Sequence, residues 1–103
     1  MTQPRRIAFK RIADAALQHA DTIVRRWLPD GRREGSEWVS TNPTRNDHRR
    51  GSFKVNLRTG AWSDFATGDR GGDLISLASY LHRISQVEAA KRVAEMLGVD
   101  VHE

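Results

Sequence analysis

Apolar side chains recur at every third or fourth position in the first quarter of the chain. The positions on this face are Ile12, Ala16, Ala20, Ile23 and Trp27. Such spacing is typical of an amphipathic helix that packs one face on a core. The pattern predicts helical structure over residues 6–28, and a break around His19–Asp21 that divides it into two helices remains an alternative. Pro29 ends the segment because proline has no N–H to donate.

The period of the pattern changes to two in the middle of the chain. Apolar Phe53, Val55 and Leu57 alternate with polar Lys54, Asn56 and Arg58. This alternation predicts a half-buried strand. The Thr59–Gly60 turn leads to a returning strand over 61–65, and Glu37–Thr41 forms a third strand after a polar connector at 32–36. We therefore expect a three-stranded antiparallel ribbon over residues 36–66.

Helical spacing returns in the C-terminal third, where residues 73–98 are predicted to form a pair of helices. Asp73 is the expected N-cap of the first helix. Ser85 and Glu88 have the spacing of a capping box at the start of the second, and Gly98 is placed to end it. The whole pattern predicts one α+β domain over residues 1–103, in which a small antiparallel sheet is accompanied by helices.

Composition excludes several classes of protein. The chain is 38% hydrophobic and 29% charged and contains no cysteine, which excludes disulfides, thiolate zinc sites and iron–sulfur clusters. No apolar run approaches the roughly 18–20 residues that a membrane span requires, and no secretory h-region follows the N-terminus. We expect a cytoplasmic protein that has no membrane partner.

The charges are unevenly distributed along the chain. The formal net charge is +4; residues 1–58 hold 13 basic and 6 acidic side chains, whereas residues 59–103 hold 4 basic and 7 acidic ones. A basic first half suggests a surface for a polyanion, with nucleic acid as the first candidate. The cations that the pattern places on the 42–51 loop and the outward strand face are Arg45, His48, Arg49, Arg50, Lys54 and Arg58. A solvated loop beside an ordinary polar sheet face is the alternative interpretation.

Two tryptophans flank this basic segment. An exposed aromatic ring beside arginines can stack on unpaired bases, but aromatic side chains in small domains more often belong to the core. We assign Trp38 to the core and retain Trp62 as a candidate for base contact. The loop of residues 68–72 adds Arg70 next to the helix start at Asp73; its glycines could approach an anion, but its acidic residues favour a structural turn.

Catalytic motifs are absent from the sequence. The four histidines are scattered without metal-ligand spacing, and no nucleophile motif is present. We therefore expect neither enzymatic activity nor a cofactor or metal.

An ordered series of short motifs resembles a known family. The motifs are Asn42-Pro-Thr-Arg, Gly51-Ser-Phe-Lys-Val-Asn, Thr59-Gly-Ala-Trp-Ser-Asp-Phe-Ala-Thr-Gly and Gly71-Gly-Asp-Leu-Ile-Ser-Leu. Together they resemble the zinc-finger domain of bacterial and phage DNA primases, in a cysteine-free form similar to the N-terminal modules of phage- and plasmid-type primase/helicase proteins. The resemblance spans residues 36–98. It implies binding of single-stranded template DNA, with catalysis in a separate primase or helicase domain on the same or another chain.

The chain departs from this family at the metal site. The resemblance places Pro43 and Asn46 near the first thiolate pair, and Phe65 and Gly68 at the second. These groups cannot replace a thiolate-rich site, so we expect no zinc. The hypothesis is that aromatic residues pack in place of the zinc ion and that side-chain hydrogen bonds hold together the two loops that carry the thiolate pairs in the family. The aromatic residues are Phe65, Trp62 and Trp38, and the residues expected to form the hydrogen bonds are Asn42, Asn46 and Asp64.

The sequence thus predicts a non-catalytic, zinc-independent module that binds single-stranded nucleic acid, with DNA and RNA both open. The candidate contact residues are Arg45, His48, Arg49, Arg50, Lys54, Arg58, Trp62 and Arg70. The alternative is a protein-docking module that recruits a replication helicase or polymerase through acidic C-terminal helices.

Overall fold

Two short helices form the N-terminal region. The computed structural model describes residues 5–45 and 51–103, and in it α1 is Phe9–Leu17 and α2 is Ala20–Trp27. The break between them confirms the two-helix alternative. After α2 the Leu28 N–H still donates to the Val24 carbonyl at 2.8 Å, and Pro29 follows, where no N–H is available to continue the helix.

Five antiparallel strands form one sheet, in the order in which they occur along the chain. They are β1 (Arg32–Glu34), β2 (Glu37–Ser40), β3 (Phe53–Asn56), β4 (Trp62–Asp64) and β5 (Arg70–Gly71). The α+β class is confirmed, but the prediction of three strands is wrong. The polar connector at 32–36 contains β1, and the glycine-rich loop contains β5. Both are short edge strands paired through the backbone, and all three β1 residues are exposed, so no apolar alternation marks them.

The C-terminal helices follow the predicted pattern. They are α3 (Leu74–His82) and α4 (Gln86–Leu97). The Asp73 carboxylate accepts from the Ser76 N–H at 2.8 Å, and the Ser85 hydroxyl accepts from the Glu88 N–H at 3.0 Å. Gly98 has φ +70° at the end of α4, a left-handed conformation that glycine adopts without strain.

One cluster of buried side chains joins the helices to the inner face of the sheet. Phe53 and Val55 are fully buried at its centre. The ring of Trp62 lies 6.0 Å from that of Phe53 and 4.6 Å from that of Tyr80, measured between centroids. This aromatic group packs the sheet against α3. Among the described residues, the opposite face of the sheet contributes none to this cluster, although Val39 on that face is also buried.

The two ends of the described chain pair with each other. The Ala8 N–H donates to the Val101 carbonyl at 2.9 Å, and the Glu103 N–H donates to the Arg6 carbonyl at 2.8 Å. The alternation of residues 99–103 is too short to have predicted this pairing. Within the described residues, no helix is long and apolar enough to cross a membrane.

Candidate nucleic-acid interface

A row of side chains crosses the outer face of the sheet from one edge to the other. Strand register aligns Arg32, Val39, Lys54, Ser63 and Arg70. Because alternate residues of a strand point to opposite faces, this row faces away from the core formed by Trp38, Val55 and Trp62. The outward strand face that the sequence predicts is therefore present, and the row places Lys54 and Arg70 on it.

The charges of this row are only partly neutralised. Arg32 pairs with Glu34 at 3.0 Å. Among the ion pairs of residues 5–45 and 51–103, none involves Lys54 or Arg70. A shallow groove of about 280 Å³ runs between them, lined also by Ser63 and Glu37. The groove therefore holds one carboxylate, Glu37, beside two cations that form no ion pair among these residues, and such cations suit the phosphates of a polyanion.

Phe65 supplies an exposed ring on the same face. It follows β4, the residue is 73% exposed, and the Lys54 Nζ lies 5.7 Å from the ring centroid. The Phe65 N–H donates to the Ser52 carbonyl at 3.0 Å, which fixes the residue beside the start of β3. A ring beside a cation on a sheet is the arrangement on which unpaired bases stack. The hypothesis that Phe65 packs inside the ribbon is therefore wrong; alternation from buried Trp62 already places it outside.

Trp62 lies in the core and cannot present its ring to a base. It is 5% exposed, and its Nε1 donates to the Ser76 hydroxyl at 2.9 Å. The prediction that Trp62 contacts nucleic acid is therefore wrong. Trp38 is buried as expected, and its Nε1 donates to the Leu28 carbonyl at 2.9 Å.

The remaining predicted cations lie in different surroundings. Arg45 is turned inward to an ion pair with Asp64 at 3.1 Å and is one-third exposed, so its charge is used within the fold rather than presented to a ligand. Arg58 is exposed in the turn between β3 and β4, two residues beyond the end of β3. His48, Arg49, Arg50 and Asn46 lie outside the described residues.

A buried polar cluster joins the loop after β2 to the turn after β4. Asp64 Oδ2 accepts from Asn42 Nδ2 at 2.8 Å and from Arg45 Nε at 3.1 Å, and Oδ1 accepts from the Ala66 N–H at 2.9 Å. Burial raises the pKa of Asp64, but these hydrogen bonds and the charge of Arg45 outweigh it and lower the pKa from 3.8 to about 2.

Tyr80 of α3 ties this cluster to the helices. Its hydroxyl accepts from Asn42 Nδ2 at 2.8 Å and donates to Asp69 at 2.8 Å. The loop-tying role expected of Asn42 and Asp64 is confirmed by their hydrogen bond. Tyr80 was not among the predicted site residues, since a tyrosine on a helix at core spacing carries no sign of its hydroxyl partner.

The fold is similar to that of a solved primase. The match is to the crystal structure of the Aquifex aeolicus primase comprising its zinc-binding and RNA polymerase domains, with a TM-score of 0.75 and 23% sequence identity. It covers 89% of this chain and 22% of that one, so this chain spans about a fifth of the primase structure. No protein-family model and no curated protein sequence matches the chain. The fold is therefore similar to part of a primase structure, and the sequence resemblance is supported at the level of the fold.

Proposed function

We propose that the outer face of the sheet binds single-stranded nucleic acid, as a non-catalytic module of a primase- or helicase-type replication protein. The observation that carries the proposal is the exposed ring of Phe65 beside Lys54, on the same face as Arg70. The cations hold the phosphates, and the ring stacks on a base that is unpaired. Duplex DNA keeps its bases stacked on each other, so the ring favours single strands.

The charges of the C-terminal helices weigh against the docking alternative. α3 contains no acidic residue, and the two acidic residues of α4 are matched by Lys91 and Arg92. The negative charge of residues 59–103 therefore lies mainly in turns and at the chain end, and a uniformly acidic helical face is not formed. This distribution supports the sheet rather than the helices as the binding surface.

The residues present do not suit the zinc that the primase in the comparison binds. The sequence has no cysteine, and no three His, Asp or Glu side chains come together in the part of the chain that the structure describes. The only buried carboxylate among those residues, Asp64, is already occupied by hydrogen-bond donors. We therefore propose a function that is independent of zinc, with any nucleotide chemistry in another domain.

Binding of a fluorescent oligothymidylate, followed by anisotropy, tests the proposal. The Lys54→Ala/Arg70→Ala variant should weaken binding about tenfold or more, because two phosphate contacts are lost. The matched control is Arg26→Ala/Lys91→Ala, which removes two exposed helical cations and should bind normally. Equal affinities for both variants, or no binding by the unmodified chain at low salt, would reject the outer face as the site.

Chemical-shift mapping distinguishes nucleic-acid binding on the sheet from protein docking on the helices. Oligonucleotide should perturb residues on β3, β4 and β5, and should leave α4 unchanged. Competition with oligoadenylate as RNA and as DNA then shows which sugar is preferred. Perturbations confined to 74–97 on adding a replication helicase, with none from DNA, would favour docking.

A further inference from the structure

Two turns of the same design lie at one end of the sheet. The first begins at Asn42, whose side-chain oxygen accepts from the Thr44 N–H at 2.9 Å and whose carbonyl accepts from the Arg45 N–H at 3.3 Å. The second begins at Asp64, whose Oδ1 accepts from the Ala66 N–H at 2.9 Å and whose carbonyl accepts from the Thr67 N–H at 3.3 Å. Both are turns closed by an Asx side chain.

Strand pairing brings these turns face to face. Ser40 at the end of β2 and Asp64 at the end of β4 both pair with Phe53 at the start of β3. Because β2 and β4 flank β3 in the same direction, the chain leaves both strands at the same end of the sheet. Direct hydrogen bonds from Asn42 and Arg45 to Asp64 then join one turn to the other.

The spacing of these residues is that of a four-ligand metal site. Positions 42 and 45, and positions 64 and 67, are each separated by two residues, as are the paired cysteines of structural zinc sites. Gly68 follows with φ +82°, a conformation that glycine adopts readily. The sequence resemblance placed these pairs one residue later, but Gly68 has no side chain, and Pro43 and Phe65 are exposed. Thr67 is exposed as well and its hydroxyl accepts from the Asp69 N–H at 3.2 Å, so position 67 is assigned by its spacing from Asp64, whereas Asn42, Arg45 and Asp64 are joined by direct hydrogen bonds.

We propose that positions 42, 45, 64 and 67 form the ligand shell of a zinc-ribbon site whose ion has been replaced by the Arg45 guanidinium. In a thiolate site a cation holds anionic side chains of two turns together. Here the cation belongs to the first turn and the anion, Asp64, to the second. The pair is electrically balanced, and Asn42 and the Ala66 N–H occupy remaining acceptor positions of the carboxylate. The site is thus complete without a metal.

The unmodified chain supplies the first test. Its thermal midpoint should be the same in chelator and in one equivalent of Zn²⁺. Arg45→Met should lower that midpoint by about 10 °C or more, because a buried carboxylate loses its cation. Arg58→Met removes an exposed arginine of another turn and should leave it unchanged. A midpoint that falls in chelator, or equal effects of the two substitutions, would overturn the proposal.

Restoring thiolates supplies the second test. The Asn42→Cys/Arg45→Cys/Asp64→Cys/Thr67→Cys variant should bind one Co²⁺ with the intense absorption of tetrahedral thiolate coordination, and Zn²⁺ should raise its thermal midpoint. The matched set displaced by one residue is Pro43→Cys/Asn46→Cys/Phe65→Cys/Gly68→Cys, which should not give that spectrum. A first variant that stays unfolded or colourless with metal, or a displaced set that gives the spectrum, counts against the assignment.

Discussion

A buried carboxylate is unfavourable unless its ionised form is well hydrogen-bonded, and Asp64 meets this condition. Its pKa in the fold is about 2 instead of 3.8. Because the folded-state pKa is the lower one, the ionised group stabilises the fold fully above about pH 4, and this contribution is lost as the pH falls toward 2. This lowering of the pKa corresponds to about 2 kcal/mol of unfolding free energy.

Asp64→Asn should therefore lower the free energy of unfolding by about 2 kcal/mol at pH 7. Urea unfolding between pH 7 and pH 2 measures the free energy of unfolding of the variant and of the unmodified chain. The difference between the two should become smaller below pH 4. Asp30→Asn, at an exposed turn, controls for the loss of a surface carboxylate. A difference that is constant down to pH 2 would contradict the role assigned to the ionised group.

The glycine pair that precedes α3 offers a second test at the residue scale. A Cβ at Gly71 would collide with the Ser76 hydroxyl and the Trp62 indole, which are hydrogen-bonded to each other. A Cβ at Gly72 would meet no atom within 4 Å. Gly71→Ala should cost about 1–3 kcal/mol of unfolding free energy, whereas Gly72→Ala should be nearly neutral. Denaturant midpoints and tryptophan fluorescence of the two variants test this difference. Equal midpoints would show that Ser76 and Trp62 move aside for the added methyl group without cost.

At the scale of elements, the sequence predicts those whose signal is local. The Ser85 cap and the Gly98 stop of α4 are found as expected, because capping depends on a few neighbouring residues. The alternation around Phe53 likewise reveals β3. β1 and β5 escape prediction because they are edge strands held by backbone pairing, with no apolar side chain to mark them. Arg45 was misassigned for a related reason: its partner, Asp64, is distant in sequence.

The cap of α4 gives the prediction that belongs to this scale. Ser85→Ala removes the acceptor for the Glu88 N–H and should lower the free energy of unfolding by about 1 kcal/mol. Ser85→Asp keeps an acceptor at the same position and should retain most of the stability. Chemical denaturation of both variants provides the measurement. Similar losses would mean that this hydrogen bond contributes little to the helix.

At the scale of the whole molecule, the core and the proposed binding surface lie on opposite sides of the sheet. Trp62 and Phe53 occupy the inner side, whereas Lys54, Arg70 and Phe65 occupy the outer one. The sequence predicted the cations of the outer side from their polarity. It considered Trp62 both for the interior and for base contact and expected Phe65 in the interior. The structure places Trp62 inside and Phe65 outside, which agrees with strand alternation and not with hydrophobicity alone.

This division makes charge and stacking separable in one salt titration. A cation that contacts phosphate contributes a slope of about −0.7 to the plot of log affinity against log salt for single strands. Lys54→Ala and Arg70→Ala should therefore each flatten the slope by about 0.7. Phe65→Ala should weaken binding by about 1–3 kcal/mol and leave the slope unchanged, because stacking releases no counterion. Phe65→Tyr preserves a stacking ring and should keep the affinity. A slope that changes with Phe65→Ala would show that the ring acts by positioning Lys54. An unchanged affinity would show that the ring does not stack on a base.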